Sequence, residues 1–195
     1  MTLFNIAFML FLIMDPIGNV SSYLNLVNEL PRKRQNWIVI REMLIALAFM
    51  LLFNAIGEYI FDILQISHTV VRLSSGLILF LVAIKILFPS IDSPRANLPK
   101  GEPFVIPLAI PLVAGPSLLA TIMLYAHEIP SISLMVSAIF LAWLAASLVL
   151  LASPYLKRAL GNNGLMACER LMGMILILLA IQRFAEGVQL FVKSM

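Results

Sequence analysis

An all-α, polytopic membrane fold of six transmembrane helices is predicted by three observations. The chain is 62% hydrophobic and 12% charged, whereas soluble domains run at about 45–50% apolar and about 25% charged. Its apolar residues gather into six stretches, each close to the ~20 residues that cross a hydrocarbon core of about 30 Å. The first and fourth stretches are each interrupted by helix breakers. With a mean hydropathy of +1.02, the natural solvent is a bilayer. One membrane domain, 1–195, uses nearly the whole chain and leaves no room for a soluble catalytic domain.

The first stretch, Leu3 to Leu26, opens like a signal peptide. No Lys or Arg precedes it, however, and Asp15-Pro16 stands where a small-residue cleavage site belongs, so it reads as a retained first helix. Asp15-Pro16-Ile17-Gly18-Asn19 breaks it halfway. Pro16 removes a backbone donor and Gly18 relaxes the helix. Trp37 to Ile56 and Val70 to Phe88 follow as helices 2 and 3. Trp37 is an interface anchor, Arg41-Glu42 lies near a helix start where charges reach headgroups, and Lys85 snorkels to the interface. The polar segment 89–103, with Asp92, Arg95 and Lys100, separates a first half (1–88) from a second (104–195).

The fourth stretch, Phe104 to Tyr125, holds Pro107, Pro111, Gly115 and Pro116, so no regular helix runs through it. It restarts near Gly115-Pro116, because proline suits the first turn of a helix. Tyr125 reads as a second interface anchor. In the fifth stretch, Ile132 to Ala152, Ala138, Ala142 and Ala146 stand four residues apart and permit close helix packing, as Gly76 and Gly173 do for helices 3 and 6. The sixth runs from Leu171 to Leu190. Cys168, the single cysteine, excludes an intrachain disulfide and a CxxC pair. His68 and His127 fall in outer loops and are too isolated for a metal site.

A shift of 97 residues lays Gly76-Leu77-Ile78-Leu79-Phe80-Leu81-Val82-Ala83-Ile84 on Gly173-Met174-Ile175-Leu176-Ile177-Leu178-Leu179-Ala180-Ile181, with six of nine positions identical, and lays Gly18 on Gly115. The chain therefore reads as two three-helix repeats. Three is odd, so the repeats enter the membrane from opposite sides, the inverted-repeat plan of many secondary transporters. The charges add an orientation. Arg32, Lys33, Arg34, Arg41, Lys85, Arg95, Lys100, Lys157, Arg158 and Arg170 flank the loops after helices 1, 3 and 5, against Arg72, Arg183 and Lys193 on the other side. Basic residues concentrate in cytoplasmic loops, which puts both termini outside. The net charge of +3 is thus a topology signal that calls for no nucleic acid.

Paired breaks in corresponding halves are the sequence pointer to a transporter's binding site, since freed backbone at membrane depth must line a cavity or be buried. A helix amino terminus there offers amides and partial positive charge to a carboxylate. Freed carbonyls meet an ammonium or a cation, so an amino-acid zwitterion fits both. Ser21, Ser22, Ala114, Ser117, Ala120 and Thr121 are short and favour a small solute. Asp15 reads as the only acid deep in a span. It must pair, face the interior or take up a proton, and is the candidate coupling group for H+, with Na+ ligation as the variant. Equally, Asp before Pro is an ordinary N-cap, and the two roles can coexist. Asn19 either binds substrate or satisfies the broken backbone.

Met14-Asp15-Pro16-Ile17-Gly18-Asn19, the run Pro107 to Pro116 and Glu169-Arg170-Leu171-Met172-Gly173 resemble the MarC family of bacterial inner-membrane proteins over nearly the full length. The resemblance implies six transmembrane helices and kinship to SnatA-type carriers of small neutral amino acids such as glycine and alanine. It carries Asp15, Pro16, Gly18 and Asn19 in the first break, and Pro111, Gly115 and Pro116 in the second, as the functional core. Ser22 and Ser117 join them on the reading of the residues themselves. The expectation is a secondary carrier in the inner membrane, with no cofactor, proton-coupled and worked by gating of one half against the other. The alternatives are a non-transporting scaffold, a carrier of another small solute and a channel. The chain has no GxxxxGK[ST], HExxH or GxSxG, and no second deep aspartate to pair with Asp15, so an enzyme is not expected.

Overall fold

The computed structural model describes residues 2–27, 30–88, 106, 108–129 and 131–194. The expected linker 89–103 and Pro107 lie outside the described residues. Helix α1 (Leu3–Met14) is capped by Thr2 and ends at Asp15, whose φ of 47° and ψ of 53° are left-handed. Helix α2 (Pro16–Val27) starts at once with the proline. The chain reverses conformation at Asp15 because proline excludes the right-handed helical region for the residue before it but tolerates the first helical turn itself.

Gln35 closes the next turn, its side-chain amide donating to the carbonyls of Val27 (3.0 Å) and Leu30 (2.8 Å). Helix α3 (Arg32–Leu64) has 33 residues, about 50 Å at 1.5 Å per residue. It exceeds the expected Trp37 to Ile56 because polar residues at both ends stay helical beyond the apolar stretch. Helix α4 (His68–Leu87) is capped by Ser67. A kinked segment, Leu108–Val113, precedes α5 (Pro116–Glu128), and α6 (Ile132–Leu151) follows. Helix α7 (Ser153–Ser194) is interrupted at Gly161, whose φ of 66° and ψ of −178° suit only glycine. Its helical turns therefore begin well before the expected Leu171.

Among the described residues, five segments are long and apolar enough to cross a membrane: Leu3–Val27, Arg32–Leu64, Thr69–Leu87, Ile132–Leu151 and Ser153–Lys193. Large apolar side chains such as Phe8, Leu44, Leu81, Phe140, Leu148 and Leu178 are exposed, more contiguous apolar surface than water tolerates. The chain is a polytopic membrane protein.

Inside, Ile6, Leu10, Val20, Met43, Leu118, Ile122 and Met135 form one core with the buried alanines Ala138, Ala142 and Ala146. Trp143 ties α6 to α3 by donating to the Met43 carbonyl at 2.7 Å. Helices α4 and α7 pack antiparallel, Gly187 against Leu73, Gly76 against Ala180 and Phe184, and Gly173 against Ala83 and Ile86. A Cβ on Gly76 would stand 2.8 Å from the Phe184 nitrogen. Gly76→Val is therefore expected to destabilise the chain by about 1–3 kcal/mol through overpacking, read as a lower unfolding midpoint in detergent.

Candidate functional site between the two breaks

At the first break, Asp15 is buried, and its Oδ1 accepts the Gly18 N–H at 3.1 Å. This is the N-cap of α2, so the capping role is real. Gly18 is needed for a reason other than helix relaxation. A Cβ there would come within 2.2 Å of Asp15 Oδ2, so the glycine makes room for the carboxylate. Asn19, fully buried, donates its side-chain amide to the carbonyls of Met14 (3.0 Å) and Leu112 (2.9 Å). One amide thus ties the carbonyl just before the first break to a carbonyl inside the second. Of the two roles open to Asn19, these bonds serve the broken backbone. Asn19→Ala leaves both carbonyls without that donor, and a loss of about 1–3 kcal/mol in unfolding free energy is expected, measurable by thermal unfolding in detergent.

At the second break, Ile110 is extended (φ −133°, ψ 129°) and the Ile110-Pro111 peptide is cis. The Ala114 N–H reaches back to the Ala109 carbonyl at 2.8 Å. Gly115 then caps α5 with no side-chain hydrogen bond, followed by Pro116 at the helix start. A Cβ on Gly115 would stand 2.9 Å from the Pro111 carbonyl oxygen. The contrast between the breaks is chemical. The amino terminus of α2 is closed by its own aspartate, whereas α5 starts without a side-chain cap, so its first-turn amides remain for something else.

The breaks share a cavity of about 230 Å³ lined by Asp15, Pro111, Gly115, Pro116 and Ser117, with Lys85 also on its wall. Five predicted site residues are brought together there. Pro16, Gly18, Asn19 and Ser22 are buried in α2 and support the break without lining the cavity. Ser21 belongs to a different cavity of about 350 Å³, with Asn25, Lys157, Asn162 and Glu169.

A family model for the MarC family of integral membrane proteins matches residues 1–192. The chain belongs to the MarC family. It is similar to the UPF0056 inner membrane protein YhgN of Escherichia coli, 45% identical over 190 residues and 96% of each chain. It is also similar to a UPF0056 membrane protein of Buchnera aphidicola (44% over 187 residues, 95% of each chain) and to one of Chlamydia pneumoniae (31% over 190 residues, 96% of this chain and 94% of that one). No solved structure matches the chain. Membership and the apolar helices make it a multi-pass protein of the inner membrane.

Five residues of this MarC chain depart from their expected places. Glu42 is fully buried, its Oε1 held by the Arg41 guanidinium at 2.7 Å, so it is not at a headgroup and Asp15 is not the only buried acid. Tyr125 is buried rather than an interface anchor, whereas Trp37 is 49% exposed and carries Arg34 and Arg41 over its ring at 5.0 and 4.8 Å. Arg183, assigned outside by charge counting, is buried and donates to Thr121 Oγ1 (2.6 Å) and the Tyr125 hydroxyl (3.2 Å). The signal for Arg183 was its place inside the stretch Leu171 to Leu190, where a charge is costly unless it is partnered or functional. The histidines lie on helices rather than in loops. His68 opens α4, and His127 sits in the last turn of α5, 3.3 Å from Glu58. Among the described residues no group of His, Cys, Asp and Glu could hold a metal ion.

Proposed function

We propose that the chain is a secondary transporter of small neutral amino acids of the glycine and alanine type, coupled to H+ through Asp15, with Na+ as the alternative coupling ion. The observation that carries this reading is the cavity in which the Asp15 carboxylate and the uncapped start of α5 line one space of about 230 Å³. That volume is below the range of about 300–1,000 Å³ of sites for drug-sized ligands. A zwitterion lays its carboxylate on the amides of Ser117 and Leu118 and its ammonium toward Asp15. Helix dipole and side-chain charge then favour the same orientation. The protein is a carrier without cofactor rather than an enzyme.

The finer architecture belongs to the same proposal: six crossings in two inverted repeats, with both termini outside. Support comes from a symmetry in the α4–α7 contact. A Cβ on Gly76 would meet the Ala180 carbonyl oxygen at 3.1 Å, and one on Gly173 would meet that of Ala83 at 3.6 Å. Gly76 and Gly173 are related by the shift of 97, and so are Ala83 and Ala180. Exchanging the halves turns one contact into the other, as a pseudo-two-fold axis requires. Rocking of one repeat against the other then exposes the cavity to each side in turn.

The test is counterflow of labelled alanine and glycine into proteoliposomes preloaded with unlabelled substrate. Saturable counterflow is expected. Its absence across neutral, cationic and acidic amino acids would remove the amino-acid assignment in favour of another solute or a non-transporting scaffold. Flux without saturation or counterflow would indicate a channel.

A further inference from the structure

We propose that the pocket around Arg183 is a second seat for the head group of a small zwitterionic amino acid, at the opposite end of α5 from the breaks. The proposal rests on the transport reading above. Arg72, Tyr125, Glu128, Gln182, Arg183 and Glu186 line a cavity of about 80 Å³. Arg183 is 7% exposed. Its two hydrogen bonds, to Thr121 and Tyr125, go to neutral hydroxyls, and its Nε has no partner among the described residues. A guanidinium carries five N–H donors in a planar fork. A buried charge without a direct counter-ion is costly, and a brace between α5 and α7 needs no charge at all.

The acids of the pocket are held elsewhere. Glu128 and Glu186 both bind Arg72, the latter at 3.1 Å, and Glu186 Oε1 also accepts from Gln182 at 3.1 Å. Two guanidinium groups and two carboxylates leave the pocket neutral, with Arg72 bound to both carboxylates and Arg183 bonded to the hydroxyls of Thr121 and Tyr125. That pattern matches a ligand that is itself neutral and charge-separated. The carboxylate lies on Arg183 where it lines the cavity, and the ammonium on the Glu128 and Glu186 side. The volume equals two to three waters at about 30 Å³ each, enough for a head group with a very short side chain.

A chain of hydrogen bonds runs from Arg183 toward the first cavity. Thr121, which accepts from Arg183, donates to the Ser117 carbonyl at 2.7 Å, and Ser117 lines the cavity between the breaks. Ser117, Thr121 and Tyr125 stand four residues apart on one face of α5, spanning about 12 Å. This buried polar face runs between the two seats.

The experiment is alanine counterflow over a concentration series for the full chain and for Arg183→Gln and Arg183→Lys. Loss of a charge-assisted, forked contact should raise KM for alanine by more than about tenfold in the Gln variant while the saturated rate changes little. Lys, which keeps the charge without the fork, should fall between Gln and wild type. An unchanged KM in Arg183→Gln, or a fall in saturated rate alone, overturns the seat and leaves the transport reading standing. Absence of counterflow in the wild type overturns both. If the Gln variant does not fold, the Lys variant decides, with an unchanged KM counting against the seat.

Discussion

Gly115→Leu is expected to reduce saturable alanine counterflow by about a hundredfold or more while the chain still folds. The backbone at Gly115 (φ −75°, ψ 163°) is open to any residue, so the substitution brings no conformational penalty of its own. Its effect is spatial. The first added carbon stands 2.9 Å from the Pro111 carbonyl oxygen, and the remaining carbons of leucine enter a cavity of about 230 Å³ that is sized for a small solute. They also cover the first-turn amides of α5, the proposed seat of the substrate carboxylate. Gly115→Ala should show the graded form, with counterflow reduced by about tenfold as the backbone at Pro111 shifts to clear the added carbon. The overlap with backbone should cost about 1–3 kcal/mol and lower the unfolding midpoint in detergent, as for Gly76→Val, and a retained cooperative transition separates blocked transport from misfolding. Wild-type counterflow in the leucine variant would take the space between the breaks out of the transport route.

The site was legible where it depended on the backbone. Proline and glycine act locally, so Asp15-Pro16 and Gly115-Pro116 mark helix starts whatever packs around them, and both helices start there. The glycine and alanine contacts of α4, α6 and α7 were legible for a similar reason, because small residues at helical spacing have few uses other than close approach. What could not be read was which way a helix face turns. Glu42 and Arg41 are neighbours in sequence, yet Glu42 is fully buried while Arg41 reaches the ring of Trp37. Arg183 was counted as a loop charge because that rule weighs numbers of basic residues and not helix rotation. Its partners Thr121 and Tyr125 lie about sixty residues away, beyond any local pattern. Gly18 shows an intermediate case. The need for glycine was visible, but the cause, a carboxylate folded back over its α-carbon, required coordinates.

Asp15→Asn should separate coupled uptake from exchange. Asparagine caps a helix about as well as aspartate, and it is among the few non-glycine residues that enter the left-handed region readily, where Asp15 sits at φ 47°. Both structural duties of the position, the bond to the Gly18 N–H and the reversal before Pro16, therefore survive. What is lost is a group that can gain and release a proton, together with the negative charge that faces the substrate ammonium. Alanine uptake driven by a pH gradient should fall by more than about tenfold, whereas counterflow, which needs no net proton movement, should persist at saturating alanine with a raised KM, because the amide oxygen still faces the substrate ammonium without the charge. Asp15→Ala is the contrasting variant. It removes the cap, at about 1 kcal/mol, and strains the left-handed residue by roughly 1–2 kcal/mol more. It should lower the unfolding midpoint where Asn does not. If a sodium gradient drives wild-type uptake and the Asn variant loses that response, Asp15 is a cation ligand rather than a proton carrier. If pH-driven uptake is the same in Asp15→Asn and wild type, the carboxylate is a cap alone, and the buried carboxylate of Glu42 becomes the group to test for coupling.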